Sequence, residues 1–248
     1  PEEDYYLLFE GKALIERAAI TDDPQARLQY YQRSEGVLQR AQALNPLNTD
    51  HTANLARLSV TWAGALSDGA ARRARLDEAL RSYEQATRLS PHNAALCNEW
   101  AELLLQMGRP QEALERYRQS LAIDARYAQT YLLLAEYYLD HGDPPQVAAY
   151  AAQAVQAEPR SAQVHAAAGR LYNEIGHLDD AIREYQQVLA AYPKDYLTQR
   201  SLALACAQAG RTEEALAAAR AARALAPERD RPALDQLIAQ LQAGQGEP

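Results

Sequence analysis

The sequence predicts an all-α chain in which pairs of helices stack into a solenoid. Ala and Leu supply 51 and 34 of the 248 residues, while Phe and Met occur once each. Helices tolerate Ala and Leu best, whereas strands favour β-branched and aromatic residues. The second observation is a column of prolines separated by 68, 34 and 34 residues, namely Pro91, Pro159, Pro193 and Pro227. This spacing indicates a repeat of 34 residues, in which Ala125 replaces one proline.

Each repeat is predicted to contain a first helix, helix A, and a second helix, helix B. Small residues recur 24, 12 and 5 positions before the proline column. Helices whose axes lie about 8–10 Å apart need small side chains where they cross. A glycine column marks the turn between the helices, at Gly108, Gly142, Gly176 and Gly210. Proline ends helix B, because it cannot continue a helix.

The first two units are longer than the others, since residues 4–48 and 49–93 hold 45 residues each. The 11 extra residues equal about three turns of α-helix, so they can lengthen the helices without rotating their faces. The turn of unit one is predicted at Asp22-Asp23-Pro24, with proline in the first helical position. The turn of unit two is predicted within residues 64–69.

The next four units have 34 residues each and span 94–127, 128–161, 162–195 and 196–229. Acidic pairs at the start of helix B, Asp179-Asp180 and Glu213-Glu214, are interpreted as helix caps. Residues 230–243 are predicted to form a capping helix, because their leucines and Ile238 fall on one face. Residues 244–248 are expected to fray. The whole chain, 1–248, is thus predicted to be one solenoid domain of about six helix pairs and a cap.

These columns resemble the tetratricopeptide repeat (TPR) family, whose pattern has small residues at positions 8, 20 and 27, aromatics near 11 and 24, and Pro at 32. Tyr138 and Tyr172 fill the first aromatic slot, and Tyr83, Tyr117 and Tyr185 fill the second. The Trp that the family carries at position 4 is absent. The resemblance implies a right-handed superhelix that acts as a non-enzymatic protein–protein interaction scaffold.

Most kinds of chemistry are not expected in this chain. The chain has a net charge of −8 and lacks the clustered basic residues that nucleic-acid binding requires. No apolar run approaches the roughly 18 residues of a membrane span. Phosphate-cradling glycine motifs and HExxH are absent. Cys97 and Cys206 are interpreted as buried small residues, and the five histidines as solvated turn or edge residues. We therefore predict no enzyme activity, cofactor, metal, nucleic acid or membrane insertion.

Family resemblance places ligand contacts on helix A, on the concave face of the superhelix. The residues predicted to bind a partner are Asn54, Arg57, Asn98, Glu99, Glu102, Leu105, Leu132, Glu136, Leu139, Asp140, Arg170, Asn173 and Glu174. The acidic members with leucines between them suit a basic or amphipathic segment of a partner protein. The alternative is an ordinary solvated face without that selectivity, because the whole chain is acidic.

A second resemblance covers only residues 5–57. This segment is similar to the repeat region at the C-terminus of bacterial multi-pass membrane proteins of the O-antigen ligase/polymerase type, which handle lipid-linked glycans. It would make the chain, which lacks an initial Met, the accessory domain of a longer glycan-assembling protein. A soluble scaffold is expected in the cytoplasm. Under the second resemblance, the chain is instead expected to be a soluble domain attached to a bacterial inner-membrane protein.

Overall fold

The computed structural model describes residues 3–243, which form thirteen α-helices and one short 3-10 helix. The helices are α1 (Glu3–Ala19), α2 (Pro24–Leu44), α3 (Thr49–Ala65), α4 (Gly69–Leu89), α5 (Ala94–Gln106), α6 (Pro110–Ile123), α7 (Ala128–Asp140), α8 (Pro144–Ala157), α9 (Ala162–Glu174), α10 (Leu178–Ala191), α11 (Tyr196–Gln208), α12 (Thr212–Leu225) and α13 (Arg231–Ala243). The 3-10 helix is Glu228–Asp230. The predicted all-α fold of six helix pairs and a closing helix is confirmed for these residues.

The chain divides into two compact units, Pro1–Asp124 and Ala125–Pro248. The first contains the pairs α1/α2, α3/α4 and α5/α6, and the second contains α7/α8, α9/α10 and α11/α12 with α13. Within each pair, helix A packs along helix B, and helix B packs against the next helix A of the same unit. The prediction that residues 1–248 form a single domain stays a prediction.

The turn between helix A and helix B has the same geometry in the four short repeats. Its glycines, Gly108, Gly142, Gly176 and Gly210, all have positive φ angles between 67 and 76°. This left-handed conformation is strained for residues with a side chain and free of strain for Gly. The amide of the following residue then donates to a carbonyl five residues earlier, as Arg109 N does to Leu104 O at 2.9 Å. The glycine column is therefore a set of helix C-terminal caps.

The small-residue columns lie where helices cross, as predicted. Ala79, Ala86, Ala113 and Ala154 have no exposed surface. At Gly169, a Cβ atom would lie 2.8 Å from Cε1 of Tyr185 on α10. Helices α9 and α10 therefore touch so closely that even Ala does not fit without a shift. The packing confirms that these columns record contacts between helices.

The extra residues of the first two units lie inside the helices. Helices α1 and α3 have 17 residues each, whereas α5 has 13. Helices α2 and α4 have 21 residues each, whereas α6 has 14. The insertion therefore adds about one turn to helix A and two turns to helix B. Both additions are close to whole turns, which keeps each buried face in register.

Helix α13 caps the second unit, as predicted. Leu234 is buried with Ala222 and Ala226, and the other apolar residues of its stripe pack on α11 and α12, namely Leu237, Ile238 and Leu241. The Tyr196 hydroxyl donates to Asp230 at 2.9 Å and ties the entry of this helix to α11. The tail predicted to fray, 244–248, lies outside the described residues.

The acidic pairs lie at the starts of α10 and α12, as predicted, but they are not the N-cap residues of these helices. The N-cap of α10 is His177 and that of α12 is Arg211, and neither side chain makes a capping hydrogen bond. Asp179-Asp180 and Glu213-Glu214 lie in the first turns, where a negative charge favours the helix dipole. Glu214 also pairs with Arg211 at 2.7 Å.

Candidate functional site

In the first unit, two of the predicted partner-binding residues form an ion pair between neighbouring A helices. Arg57 on α3 donates from Nε and Nη2 to the Glu99 carboxylate on α5, at 2.8 and 2.7 Å. The Tyr83 hydroxyl donates to the same carboxylate at 3.0 Å. Burial and the neighbouring Glu99 charge raise the pKa of Tyr83, so the phenol stays protonated and remains a donor. Glu99 is thus fixed by three hydrogen bonds.

The other candidates in this unit differ in accessibility. Asn54 is buried and donates to the Asp50 carbonyl at 2.7 Å, so it serves its own helix. Asn98 is also buried. Leu105 is half-buried and Glu102 is exposed. Of these four, only Glu102 and Leu105 therefore present surface to a ligand.

In the second unit, the corresponding pair joins α7 to α9. Arg170 Nη2 lies 2.5 Å from Glu136 Oε1, and both side chains are about half exposed. Asp140 and Glu174 are exposed at the carboxyl ends of the same two helices. Leu132 is buried in the core and Leu139 packs against that core. Asn173 is half-buried, and its Oδ1 atom is buried without a hydrogen-bond partner among the described residues.

These ion pairs change the electrostatic character of the predicted acidic groove. Two of its five carboxylates, Glu99 and Glu136, are neutralised by arginines of neighbouring A helices. Both arginines are themselves among the predicted partner-binding residues. The pairing leaves the net charge of the predicted set unchanged but weakens the attraction of Glu99 and Glu136 for a basic ligand.

Exposed apolar side chains also lie on A helices. In the first unit, Tyr5 and Phe9 on α1 are 51% and 63% exposed. In the second unit, Leu197 and Leu204 on α11 are 54% and 37% exposed. Phe9 is the sixth residue of unit one, on helix A, and was not among the predicted partner-binding residues. Its place in the repeat register could have identified it as a candidate.

The expectation that all five histidines are solvated is wrong for two of them. His51 is fully buried, and its Nε2 lies 3.0 Å from Asp4 Oδ2. His165 is buried with Nδ1 at 2.6 Å from Glu184 and Nε2 at 3.1 Å from the Pro159 carbonyl. The first pair joins α3 to α1, and the second joins α9 to α10. His92, His141 and His177 are exposed, as expected.

Within residues 3–243, no three His, Cys, Asp or Glu side chains are arranged to hold a metal ion. Over the same residues, none of the helices combines the length and apolar character that crossing a membrane requires. The two cysteines are buried, as expected, and neither forms a disulfide.

Comparisons with known proteins point to one repeat family. Family models described as tetratricopeptide repeat match residues 70–137, 104–171 and 166–230. No curated protein matches the sequence. The second resemblance, to the O-antigen ligase/polymerase type, therefore stays a prediction.

Solved structures with the same fold come from several sources. A tetratricopeptide repeat protein from Parabacteroides merdae is 18% identical, with 95% of this chain and 87% of that chain covered and a TM-score of 0.54. YrrB, described as a TPR protein with an unusual peptide-binding site, is 17% identical with coverages of 83% and 97% and a TM-score of 0.52. Yeast Tom70 is 14% identical with coverages of 95% and 47% and a TM-score of 0.70. At these identities the likeness is one of fold.

Proposed function

Because this chain belongs to the tetratricopeptide repeat family, we propose that it is a non-enzymatic scaffold that binds a segment of a partner protein on the face formed by its A helices. Proteins of this fold generally act in protein–protein interactions. The main support for this face is a salt bridge between neighbouring A helices in each unit, namely Arg57–Glu99 and Glu136–Arg170.

The Arg57–Glu99 salt bridge supports this face because three hydrogen bonds hold the Glu99 carboxylate in place before a partner arrives. A side chain that is already ordered loses less conformational entropy on binding. Direct packing between A helices also occurs, since α1 packs on α3 and α7 packs on α9. In the first unit, the Arg57–Glu99 pair extends this connection from α3 to α5.

We favour an amphipathic partner segment over a purely basic one. The exposed apolar residues Tyr5, Phe9, Leu197 and Leu204 offer sites for apolar side chains. The carboxylates of Glu99 and Glu136 are already paired, which weakens their attraction for a basic partner. Asp140 and Glu174 are exposed and can still attract a basic residue at the edge of the segment.

The proposal is tested by photo-crosslinking in an extract of the source organism. Benzoylphenylalanine is placed at Leu204 on α11 in one variant and at Leu225 on α12 in its control. These leucines are 37% and 38% exposed, so they are matched in residue type and accessibility but lie on a helix A and a helix B. We expect an ultraviolet-dependent adduct with one partner at Leu204 and none with that partner at Leu225.

A second pair of variants separates binding from proximity. Leu204→Ser should weaken capture of the crosslinked partner, and Leu225→Ser should leave it unchanged. Equal crosslinking at both positions, or equal loss in both serine variants, would contradict the choice of the A-helix face. Turnover of a substrate by the purified chain would contradict the non-enzymatic role.

A further inference from the structure

A step in helix length occurs within the first unit, where a long repeat meets a short one. Ala79 on α4 and Ala113 on α6 occupy the same repeat column. Helix α6 begins three residues before its column residue, whereas α4 begins ten residues before. Residues 69–75 therefore lengthen the N-terminal end of α4 by about two turns, or about 10 Å, relative to α6.

A cleft of about 540 Å³ lies at this step. One side is formed by the extended start of α4, with Arg72 and Arg73. The other side is formed by Met107 and Arg109, in the turn that follows α5. Leu76 provides an apolar part of the lining. A volume of this size is in the range of ligand-binding pockets.

Three arginines, Arg72, Arg73 and Arg109, line the cleft, in a chain whose net charge is −8. Arg72 and Arg73 are exposed, and neither side chain forms an ion pair or hydrogen bond with the described part of the chain. Arg109 is held by Glu112 through two hydrogen bonds of 2.7 Å. Asp77 is the acidic residue in the lining. The two unpaired guanidinium groups thus give the site its positive charge.

We propose that this cleft binds an acidic segment of a partner protein. Its carboxylates would pair with Arg72 and Arg73, and an apolar side chain of the segment would pack on Leu76 and Met107. Guanidinium groups match carboxylates in charge and in hydrogen-bond geometry. The site lies at the turn edge of the repeats, so it is separate from the A-helix face proposed above.

The geometry favours a peptide over a compact phosphate. The Asp68 carboxylate already accepts a hydrogen bond from the Ala71 amide at 2.6 Å, so this amide at the start of α4 is not available to bind a phosphate. Arg72 and Arg73 are adjacent on α4, so their side chains project about 100° apart around the helix axis. This arrangement suits two separate carboxylates better than one small anion. An apolar lining adds nothing for a free phosphate.

The single methionine of the chain, Met107, provides a direct probe of this cleft. The full chain is labelled with [methyl-¹³C]methionine and titrated with a short peptide of repeated Glu-Glu-Leu. We expect the one methyl resonance to shift and saturate. The same peptide with Gln in place of Glu should not shift it, and neither should inorganic phosphate at the same total charge.

Charge-removing variants locate the contact. In the double variant R72Q/R73Q, the acidic peptide should bind at least about fivefold more weakly, as expected for loss of two exposed ion pairs. Arg220→Gln is the control for loss of an exposed arginine elsewhere, because Arg220 lies on α12 in the second unit. Unchanged binding in R72Q/R73Q, an equal loss in Arg220→Gln, a saturating shift with phosphate alone, or no shift with the acidic peptide would each overturn the proposal.

Discussion

Arg57 and Glu99 join α3 to α5 through two parallel hydrogen bonds of 2.8 and 2.7 Å, although 42 residues separate them in the chain. We expect Arg57→Gln and Glu99→Gln each to lower the free energy of unfolding by about 1 kcal/mol, because the pair is partly shielded from solvent. The double variant should lose less than the sum of the single losses.

Tryptophan fluorescence during urea denaturation measures this coupling, since both tryptophans, Trp62 and Trp100, lie in the first unit. The control is the more exposed Glu136–Arg170 pair, followed by circular dichroism. Its variants should change stability by less than about 0.5 kcal/mol. Strictly additive losses for Arg57 and Glu99 would show that the bridge contributes no coupling.

Gly169→Ala should destabilise the second unit, although Ala is the better helix former. The added Cβ would lie 2.8 Å from the Tyr185 ring, and overpacking of this kind costs about 1–3 kcal/mol. Gly36→Ala is the opposite case, because nothing lies within 4 Å of its Cβ position, and it should stabilise by up to about 1 kcal/mol. Thermal unfolding followed by circular dichroism compares the two, and a stabilised Gly169→Ala would refute the close approach of α9 and α10.

Acid should weaken the first unit through Asp4. The hydrogen bond from His51 holds the pKa of Asp4 below its usual value, with a further contribution from Asn45. The ionised carboxylate therefore contributes stability that is present above the unfolded pKa of about 4 and is lost as the pH falls through the lower folded pKa.

The variants Asp4→Asn and Asp22→Asn test this dependence through urea midpoints measured between about pH 6 and pH 2. Asp4→Asn should lower the midpoint near neutral pH and flatten its fall in acid. Asp22 is exposed and precedes the N-cap Asp23, so Asp22→Asn should keep the parental profile. Superimposable profiles for Asp4→Asn and the parent would count against the His51–Asp4 contact.

The two thiols should react slowly while the chain is folded. Burial raises the pKa of Cys97 and of Cys206, which lowers the thiolate fraction and blocks access. With Ellman's reagent near pH 8 we expect each thiol to react at least about a hundredfold more slowly than glutathione, and both to react at once in guanidinium chloride. A thiol that reacts as fast as glutathione without denaturant would contradict its burial.

The repeat register made the helices predictable from the sequence. Glycine, proline and small residues are required by turn and crossing geometry, so their columns located every helix pair in residues 3–243. The same register placed Arg57 and Glu99 on the A-helix face. The register did not show that Arg57 and Glu99 pair. A repeat position indicates which helix face a residue lies on, but it does not identify the residue that it contacts on the next helix.

Burial of His51 and His165 was harder to predict than the helix boundaries. A histidine near a helix start is usually solvated, and only the approach of Asp4 and Glu184 from other helices makes burial favourable. Phe9 differs from these cases, because its repeat position alone would have identified it. The extension of α4 was predicted as a whole number of turns, but the cleft beside it depends on where the shorter repeat ends.

The change in helix length between α4 and α6 also affects the register in which a ligand binds. Successive helix pairs of a solenoid resemble one another, so a ligand that reads a feature common to all pairs could occupy several equivalent positions along the stack. Helix B has 21 residues in the second repeat and 14 in the third, and this difference breaks that translational degeneracy within the first unit. A partner that lies along the A helices and also contacts this boundary has one preferred alignment. The boundary therefore fixes the position of a bound segment along the stack.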